Sequence, residues 1–233
     1  MKKAFVAANI PTECYRSLVS EFELYPVPRD TDVASPVSFH PDMNIALIGR
    51  NAVIAPSYKV NYPGVGAVLE KNGYMVSYAM GPRAEKYPND SSLNVGVGKD
   101  YVICRYKSAD KVLLKTAETL GFDIIDVNQG YAACSSIICP DGVITSDKGI
   151  EKALAKKNIE TLYVDSSSVC LPGYQMGFIG GAGGYSDGKI YFYGSVTSLP
   201  DAGKIYDFAE SKGYRIIELL DNGMFDYGGI KEF

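Results

Sequence analysis

What most constrains this chain is a unit that returns along its length: a strand, a tight turn, a second strand, a helix and a third strand. In the first copy, Asn44 to Gly49 and Ala52 to Ala55 read as strands around the turn Arg50-Asn51. A helix over Gly64 to Lys71, stopped by Asn72-Gly73, leads to a strand from Tyr74 to Tyr78. The second copy runs Leu93 to Gly98, turn Lys99-Asp100, then Tyr101 to Cys104. Its helix, Ala109 to Leu120, sets Val112, Leu113, Thr116, Ala117 and Leu120 on one face, with Gly121 as the left-handed stop before Phe122 to Val127. The third has Ala132 to Cys139, turn Pro140-Asp141-Gly142, and Val143 to Thr145. Asp147 then caps a helix through Ile150, Ala153 and Leu154, followed by Thr161 to Val164. The fourth begins at Gly177-Phe-Ile-Gly-Gly, crosses a glycine-rich turn ending Ser186-Asp187-Gly188 and returns as Lys189 to Tyr193. Leu199-Pro200-Asp201 opens its helix, Ser211-Lys-Gly213 ends it, and Tyr214 to Leu219 closes the unit.

Four ββαβ units at roughly 40–50 residues each are a repeat-scale period. The remaining chain supplies a fifth in two pieces. Lys3 to Asn9, Pro11 to Phe22 and Glu23 to Val27 read as strand, helix and strand without a leading strand. The tail from Met224 to Ile230 reads as a leading strand without a module. Joined, they predict a single-domain α/β propeller of five-fold pseudosymmetry, closed by the N- and C-termini so that no module is an open edge. Its modules span approximately 38–80, 88–127, 128–165, 172–219, and 220–233 joined with 1–28. The competing expectation is a plain mixed α/β domain whose units resemble one another by accident.

Composition excludes some partners. With 46% hydrophobic residues, net charge −4 and pI about 5.1, the chain offers nucleic acid or an anionic membrane surface no electrostatic attraction. No run reaches transmembrane length, and the apolar stretch after Met1-Lys-Lys-Ala is too short for a secretory leader. Five cysteines, Cys14, Cys104, Cys134, Cys139 and Cys170, have neither an even disulfide count nor CxxC spacing, so a reduced, cytoplasmic protein is expected. Cys104, Cys139 and Cys170 read as packing residues. No spacing implies a metal or an organic cofactor.

Several stretches carry a family resemblance: Phe39-His-Pro-Asp-Met43, Tyr87-Pro-Asn-Asp-Ser-Ser-Leu-Asn94, Gln129-Gly-Tyr-Ala-Ala-Cys134, Ile144-Thr-Ser-Asp147, Leu171-Pro-Gly173 and Gly177-Phe-Ile-Gly-Gly-Ala-Gly183. With the five units, they resemble the penteins, or guanidino-group-modifying enzymes, and most specifically a bacterial branch with His-Pro-Asp-Met and Gln-Gly-Tyr-x-x-Cys motifs. The resemblance implies catalysis in which a cysteine attacks a guanidinium carbon and the histidine of a His-x-Asp motif moves the proton. It thus nominates Cys134, His40 (the only histidine) and Asp42 as catalytic residues. Asp90, Asn94, Gln129 and Asp226 are nominated for binding a small cationic, guanidino-type ligand. The chain departs from the family in order, since its histidine stands in the first complete module. It also lacks a Glu-Gly-Gly-Asp-like acidic element. Cycling the modules puts the family's carboxylates near residues 178 and 226, where Asp226 fills one position and Phe178 with glycines the other.

Each residue has a second reading. Cys134 equally suits a small buried hydrophobe, His40 a loop or strand cap, and Asp42 an Asx turn. Asp147 reads as a helix cap. Gln129 and Asn94 either read a ligand or satisfy backbone. The Gly177 to Gly184 run joins two strands rather than opening a helix, so a close-approach backbone beside the site is expected in place of a phosphate cradle. Three functions follow: a cysteine-dependent amidine hydrolase, a binding protein on a ring that has lost catalysis, and an amidinotransferase using the same thiol.

Overall fold

The computed structural model describes residues Met1–Phe233. It contains five three-stranded sheets, each built the same way. The chain opens with β1 (Lys2–Ala7), α1 (Thr12–Leu18) and β2 (Phe22–Val27). The next stretch holds α2 (Pro41–Asn44), β3 (Ile45–Ile48), β4 (Asn51–Ile54), α3 (Ser57–Asn61), α4 (Pro63–Lys71) and β5 (Met75–Tyr78). Then come β6 (Gly96–Val97), β7 (Tyr101–Cys104), α5 (Lys111–Thr119) and β8 (Asp123–Asp126). They are followed by β9 (Ser136–Cys139), β10 (Gly142–Thr145), α6 (Lys148–Ala155) and β11 (Thr161–Tyr163). The last set is β12 (Gly183–Ser186), β13 (Lys189–Phe192), α7 (Ala202–Ser211) and β14 (Arg215–Glu218), before β15 (Lys231–Glu232) ends the chain.

In every sheet the middle strand pairs antiparallel with one neighbour and parallel with the other. Thus β4 pairs antiparallel with β3 and parallel with β5, and β7, β10 and β13 repeat the arrangement. The antiparallel pair needs only a tight turn, whereas the parallel pair needs a crossover, which the helix supplies. The fifth sheet takes its members from both chain ends: β1 pairs parallel with β2 and antiparallel with β15, with Ala4 opposite Glu232 and Phe5 opposite Lys231.

The cores lie between neighbouring sheets and close a circle. Phe5 and Val27 pack with Ile45, Val53 and Leu69, and these with Val102 and Leu113. Ile103 and Ile125 pack with Val143, Ile150 and Leu154. Ile137 and Ile144 meet Ile190, Phe192 and Ile205, while Tyr191, Tyr193 and Leu219 meet Ala4, Leu18 and Phe22. An open cavity of about 340 Å³ is lined by the leading strand of every sheet, including Leu47, Gly96, Ile137, Gly183 and Lys231, and so marks the axis of the ring. The fold is a five-fold pseudosymmetric α/β propeller closed by the chain's two ends.

Two of the seven helices carry a side-chain cap at the N-terminus. Asp110 and Asp147 cap α5 and α6 by accepting from the backbone N–H of Val112 and Ile150. The structure also corrects several expectations. The first hairpin turns at Gly49-Arg50, where Gly49 takes a left-handed φ of +55°, and Asn51 already pairs with Ile48 in the ladder. Leu120 is 40% exposed, and α5 buries Leu113, Leu114 and Ala117. Cys170 is exposed rather than packed. The leading strands start later than their apolar runs. Tyr131 to Ser135 forms a turn, Gly177 to Ala182 wraps before β12, and the tail joins the β1 sheet only at Lys231 and Glu232, with single bridges from Met224 to Gly194 and from Phe225 to Cys170. No helix is long and apolar enough to cross a membrane.

Candidate functional site

The turns that shorten the leading strands carry the polar residues of the site. His40 precedes Pro41, which confines it to extended backbone (φ −69°, ψ 121°) and opens α2 at the position where its missing N–H costs nothing. The Asn44 amide donates to the carbonyls of Ser38 (3.2 Å) and His40 (3.0 Å), which holds this turn. Arg83 ties the same turn from behind, pairing with Asp30 at 2.9 Å and donating to the Met43 carbonyl and Asn44 Oδ1. From the second unit, Asn94 Oδ1 accepts from the backbone of Ala133 (2.8 Å) and Cys134 (3.2 Å) in the third. Those two bonds fix the orientation of the amide, so its Nδ2 donates to Cys134 Sγ at 2.9 Å and to the Asp42 carbonyl at 3.2 Å.

One cavity of about 220 Å³ brings together four of the seven nominated residues: His40, Asp90, Cys134 and Asp226. His40 is 1% exposed and Cys134 4%. His40 Nδ1 lies 3.6 Å from Asp226 Oδ1 and 4.0 Å from Asp42 Oδ1, without a hydrogen-bond partner. The Asp226 carboxylate accepts from the backbone N–H of Phe178 (2.9 Å) and Gly228 (3.0 Å). The Phe178 position expected to hold a carboxylate thus offers a backbone donor to Asp226. Asp90 Oδ2 accepts the Tyr131 hydroxyl at 2.7 Å, leaving Oδ1 without a partner.

The other three nominees stand elsewhere. Asn94 is behind the thiol and acts on it. Asp42, whose two carboxylate oxygens have no hydrogen-bond partner, lines the axial cavity and stands between it and the thiol. Gln129 does not reach the cavity: its Nε2 donates to Asp147 Oδ2 (3.1 Å) and its Oε1 accepts from the Tyr131 N–H (3.0 Å). It is a brace for the turn, the backbone-satisfying alternative.

The glycine run is a close-approach backbone. A Cβ on Gly181 would meet Asp226 Oδ1 at 2.0 Å, and one on Gly177 would meet Asp226 Cβ at 2.6 Å. The apolar walls escaped the sequence reading. Val37, Met43, Leu171, Tyr174, Met176 and Phe178 line the cavity with Tyr131. Tyr131, Leu171 and Phe178 sit inside the family-like stretches, but an aromatic in a loop reads equally as core.

Burial dominates the electrostatics. It pushes the Cys134 thiol well above its ordinary pKa, and the charges of Asp42 and Asp226 push the same way. Burial lowers the His40 imidazole against the opposing pull of Asp226. It raises Asp42, with Asp226 adding to the effect, and raises Asp90 against the Tyr131 hydrogen bond. Lys231, beside Asp42 and donating to the Ile45 carbonyl at 2.7 Å, is lowered by burial. The resting thiol and imidazole are therefore both neutral at pH 7. No group of three His, Cys, Asp or Glu side chains has metal-holding geometry.

Solved structures share this ring. A histidine-to-glycine variant of dimethylarginine dimethylaminohydrolase, an adduct with S-methyl-L-thiocitrulline, superposes with TM-score 0.64 at 10% identity over 100% of both chains. A cysteine-to-serine variant of the Pseudomonas aeruginosa enzyme, complexed with citrulline, gives 0.59 at 10% identity, again over 100% of both. The saxitoxin-pathway amidinotransferase SxtG from Microseira wollei gives 0.56 at 10% identity over 94% of this chain and 88% of its own. The fold is that of the penteins, the guanidino-group-modifying enzymes. Within it, the chain belongs to a family of unknown function (DUF6873), whose model matches residues 5–231. No curated protein matches it in sequence.

Proposed function

We propose that this protein hydrolyses a carbon–nitrogen bond at the amidino or guanidino carbon of a small cation, through a covalent adduct on Cys134. One observation supports this reading above the others. A thiol, an imidazole and two carboxylates from four different modules converge on a single buried cavity of about 220 Å³.

The chemistry follows from the neutral resting state. A planar amidinium held between Asp90 and Asp226 brings a positive charge into a low-dielectric cavity, and that charge lowers the cost of ionising Cys134. The Asn94 N–H stabilises the same thiolate. Cys134 passes its proton to the neutral His40 as its sulfur attacks the amidino carbon, forming a C–S bond while the C=N electron pair moves to nitrogen. The tetrahedral adduct then expels an amine, which takes a proton from His40. Water gives a proton to His40 and adds to the same carbon. The C–S bond breaks, leaving the free thiol, one amine and a carbonyl product. Asp226 and Asp42, whose carboxylates lie 3.6 and 4.0 Å from His40 Nδ1, steady the imidazolium. An amine in place of water would make the same intermediate an amidinotransferase. A cavity below the ~300–1,000 Å³ of ordinary ligand pockets favours water.

The test is mass spectrometry after brief exposure to 2-chloroacetamidine. Modification is expected at Cys134 in preference to the exposed Cys170, whereas uncharged iodoacetamide is expected to favour Cys170. Cys134→Ser should abolish the site-specific adduct, and His40→Gln should slow it by about 10² or more. Equal labelling of both cysteines, or no dependence on His40, would overturn the proposal.

A further inference from the structure

We infer that the cation taken by this site carries an uncharged, apolar remainder, an alkyl or aryl group, and no carboxylate. The inference rests on the hydrolase reading above and narrows its substrate class. Guanidino compounds derived from amino acids carry an anion beyond the reacting head, and a site that takes them must pair that anion with a donor or cation. This cavity has no cation for it, and its neutral donors, the Gln175 amide and the Tyr174 hydroxyl, leave the charge unpaired. Its ionisable lining is His40, Asp90, Cys134 and Asp226, and no Lys or Arg lines it. Its remaining wall is aromatic, thioether or aliphatic, broken by the neutral amide of Gln175 and the hydroxyls of Tyr131 and Tyr174, the first of which is taken by Asp90.

Arg83, Lys231 and Arg105, outside the cavity's lining, each have partners of their own. Arg83 is 1% exposed and spent on Asp30, the Met43 carbonyl and Asn44. Lys231 lines the axial cavity and donates to the Ile45 carbonyl. Arg105 lies outside the wall, its guanidinium 5.3 Å over the Tyr87 ring and donating to that hydroxyl at 2.6 Å. A ligand carboxylate would enter beside Asp90 and Asp226 with no cation to pair with, which like charge and burial both oppose. Against an alkyl or aryl group the same wall is complementary. Tyr131 and Phe178 lie 5.9 Å apart, and Met176 and Met43 supply deformable thioethers. A terminal ammonium is disfavoured for the same reason, since both carboxylates of the cavity serve the reacting head.

The experiment measures how well small guanidines protect Cys134 of the full chain from 2-chloroacetamidine. The probes are n-butylguanidine, 4-guanidinobutylamine and arginine, with unsubstituted guanidinium as reference. The expected order places butylguanidine first and arginine at least about 100-fold weaker. Tyr174→Ala is expected to shrink butylguanidine's advantage over guanidinium. Protection by arginine or 4-guanidinobutylamine equal to that by butylguanidine would overturn the inference while leaving the hydrolase reading intact. Arginine protection that disappears in Arg105→Ala would do so by exposing Arg105 as an anion site. Absence of Cys134 labelling under any condition would remove the hydrolase reading and this inference together.

Discussion

At the residue scale, Asp42 is held against its own chemistry. It is buried, its oxygens lack hydrogen-bond partners, and burial and Asp226 raise its pKa. Between the unfolded carboxyl value near ~3.9 and the higher folded value, the native state binds more protons than the unfolded state. Stability from this group therefore falls as pH rises through that window. Asp42→Asn should raise the denaturation free energy by roughly 1–3 kcal/mol at pH 8. The difference should shrink towards pH 4 in denaturant titrations, while the rate of Cys134 labelling drops. His40 runs the other way. Its folded pKa is depressed, so stability is lost as pH falls through the unfolded value near ~6.5, and His40→Gln should lessen that acid loss. The spacing His40-Pro41-Asp42 and the lone cysteine of the Gln-Gly-Tyr-x-x-Cys motif are visible in one dimension. The work of Asn94 is not, because an amide that fixes a turn and touches a thiol 40 residues away leaves no local pattern.

At the element scale, helix caps and the hairpin turns to within a residue were readable, and leading strands were not. Asp147 is legible as a cap because capping involves neighbours in sequence. Ala132 to Cys139 is uncharged and mostly apolar, yet only its second half is extended. The Tyr131–Ser135 and Ala133–Ser136 backbone bonds turn the first half, and Asn94 holds that turn from another module. The glycines answer to the same geometry. Gly228 has φ +75°, and a Cβ there would meet His40 Cβ at 2.3 Å. Gly228→Ala should therefore cost roughly 1–3 kcal/mol and slow Cys134 labelling by displacing His40. Thermal unfolding and the labelling rate, measured on the same sample, check both effects.

For the molecule as a whole, closure depends on a two-residue strand. β15 contributes only Lys231 and Glu232 to its sheet, so side chains must secure it. Phe233 does so, stacking on Phe5 at 4.3 Å and meeting Tyr25 and Tyr74 edge-on. Phe233→Ala should lower stability by roughly 1–3 kcal/mol. Hydrogen exchange should show the loss first in β1 and β15, since the ring opens where its ends meet. The repeat made this closure legible, because a headless first unit and an orphan tail admit one economical solution. The sheet neighbours and shared cores follow from it, each module having an apolar face it cannot bury alone.

The sequence by itself determined the ring, the thiol, the imidazole and the acidic candidates, because periodicity, turn chemistry and short motifs are local. Only the tertiary structure decided which of these meet. It joined His40, Asp90, Cys134 and Asp226 in one cavity, placed Asp42 on its axial side and left Gln129 bracing a turn. It also made the rest of the cavity apolar and free of cations. Those choices depend on distances between modules, and a pattern read along one chain does not encode the angle at which five units close.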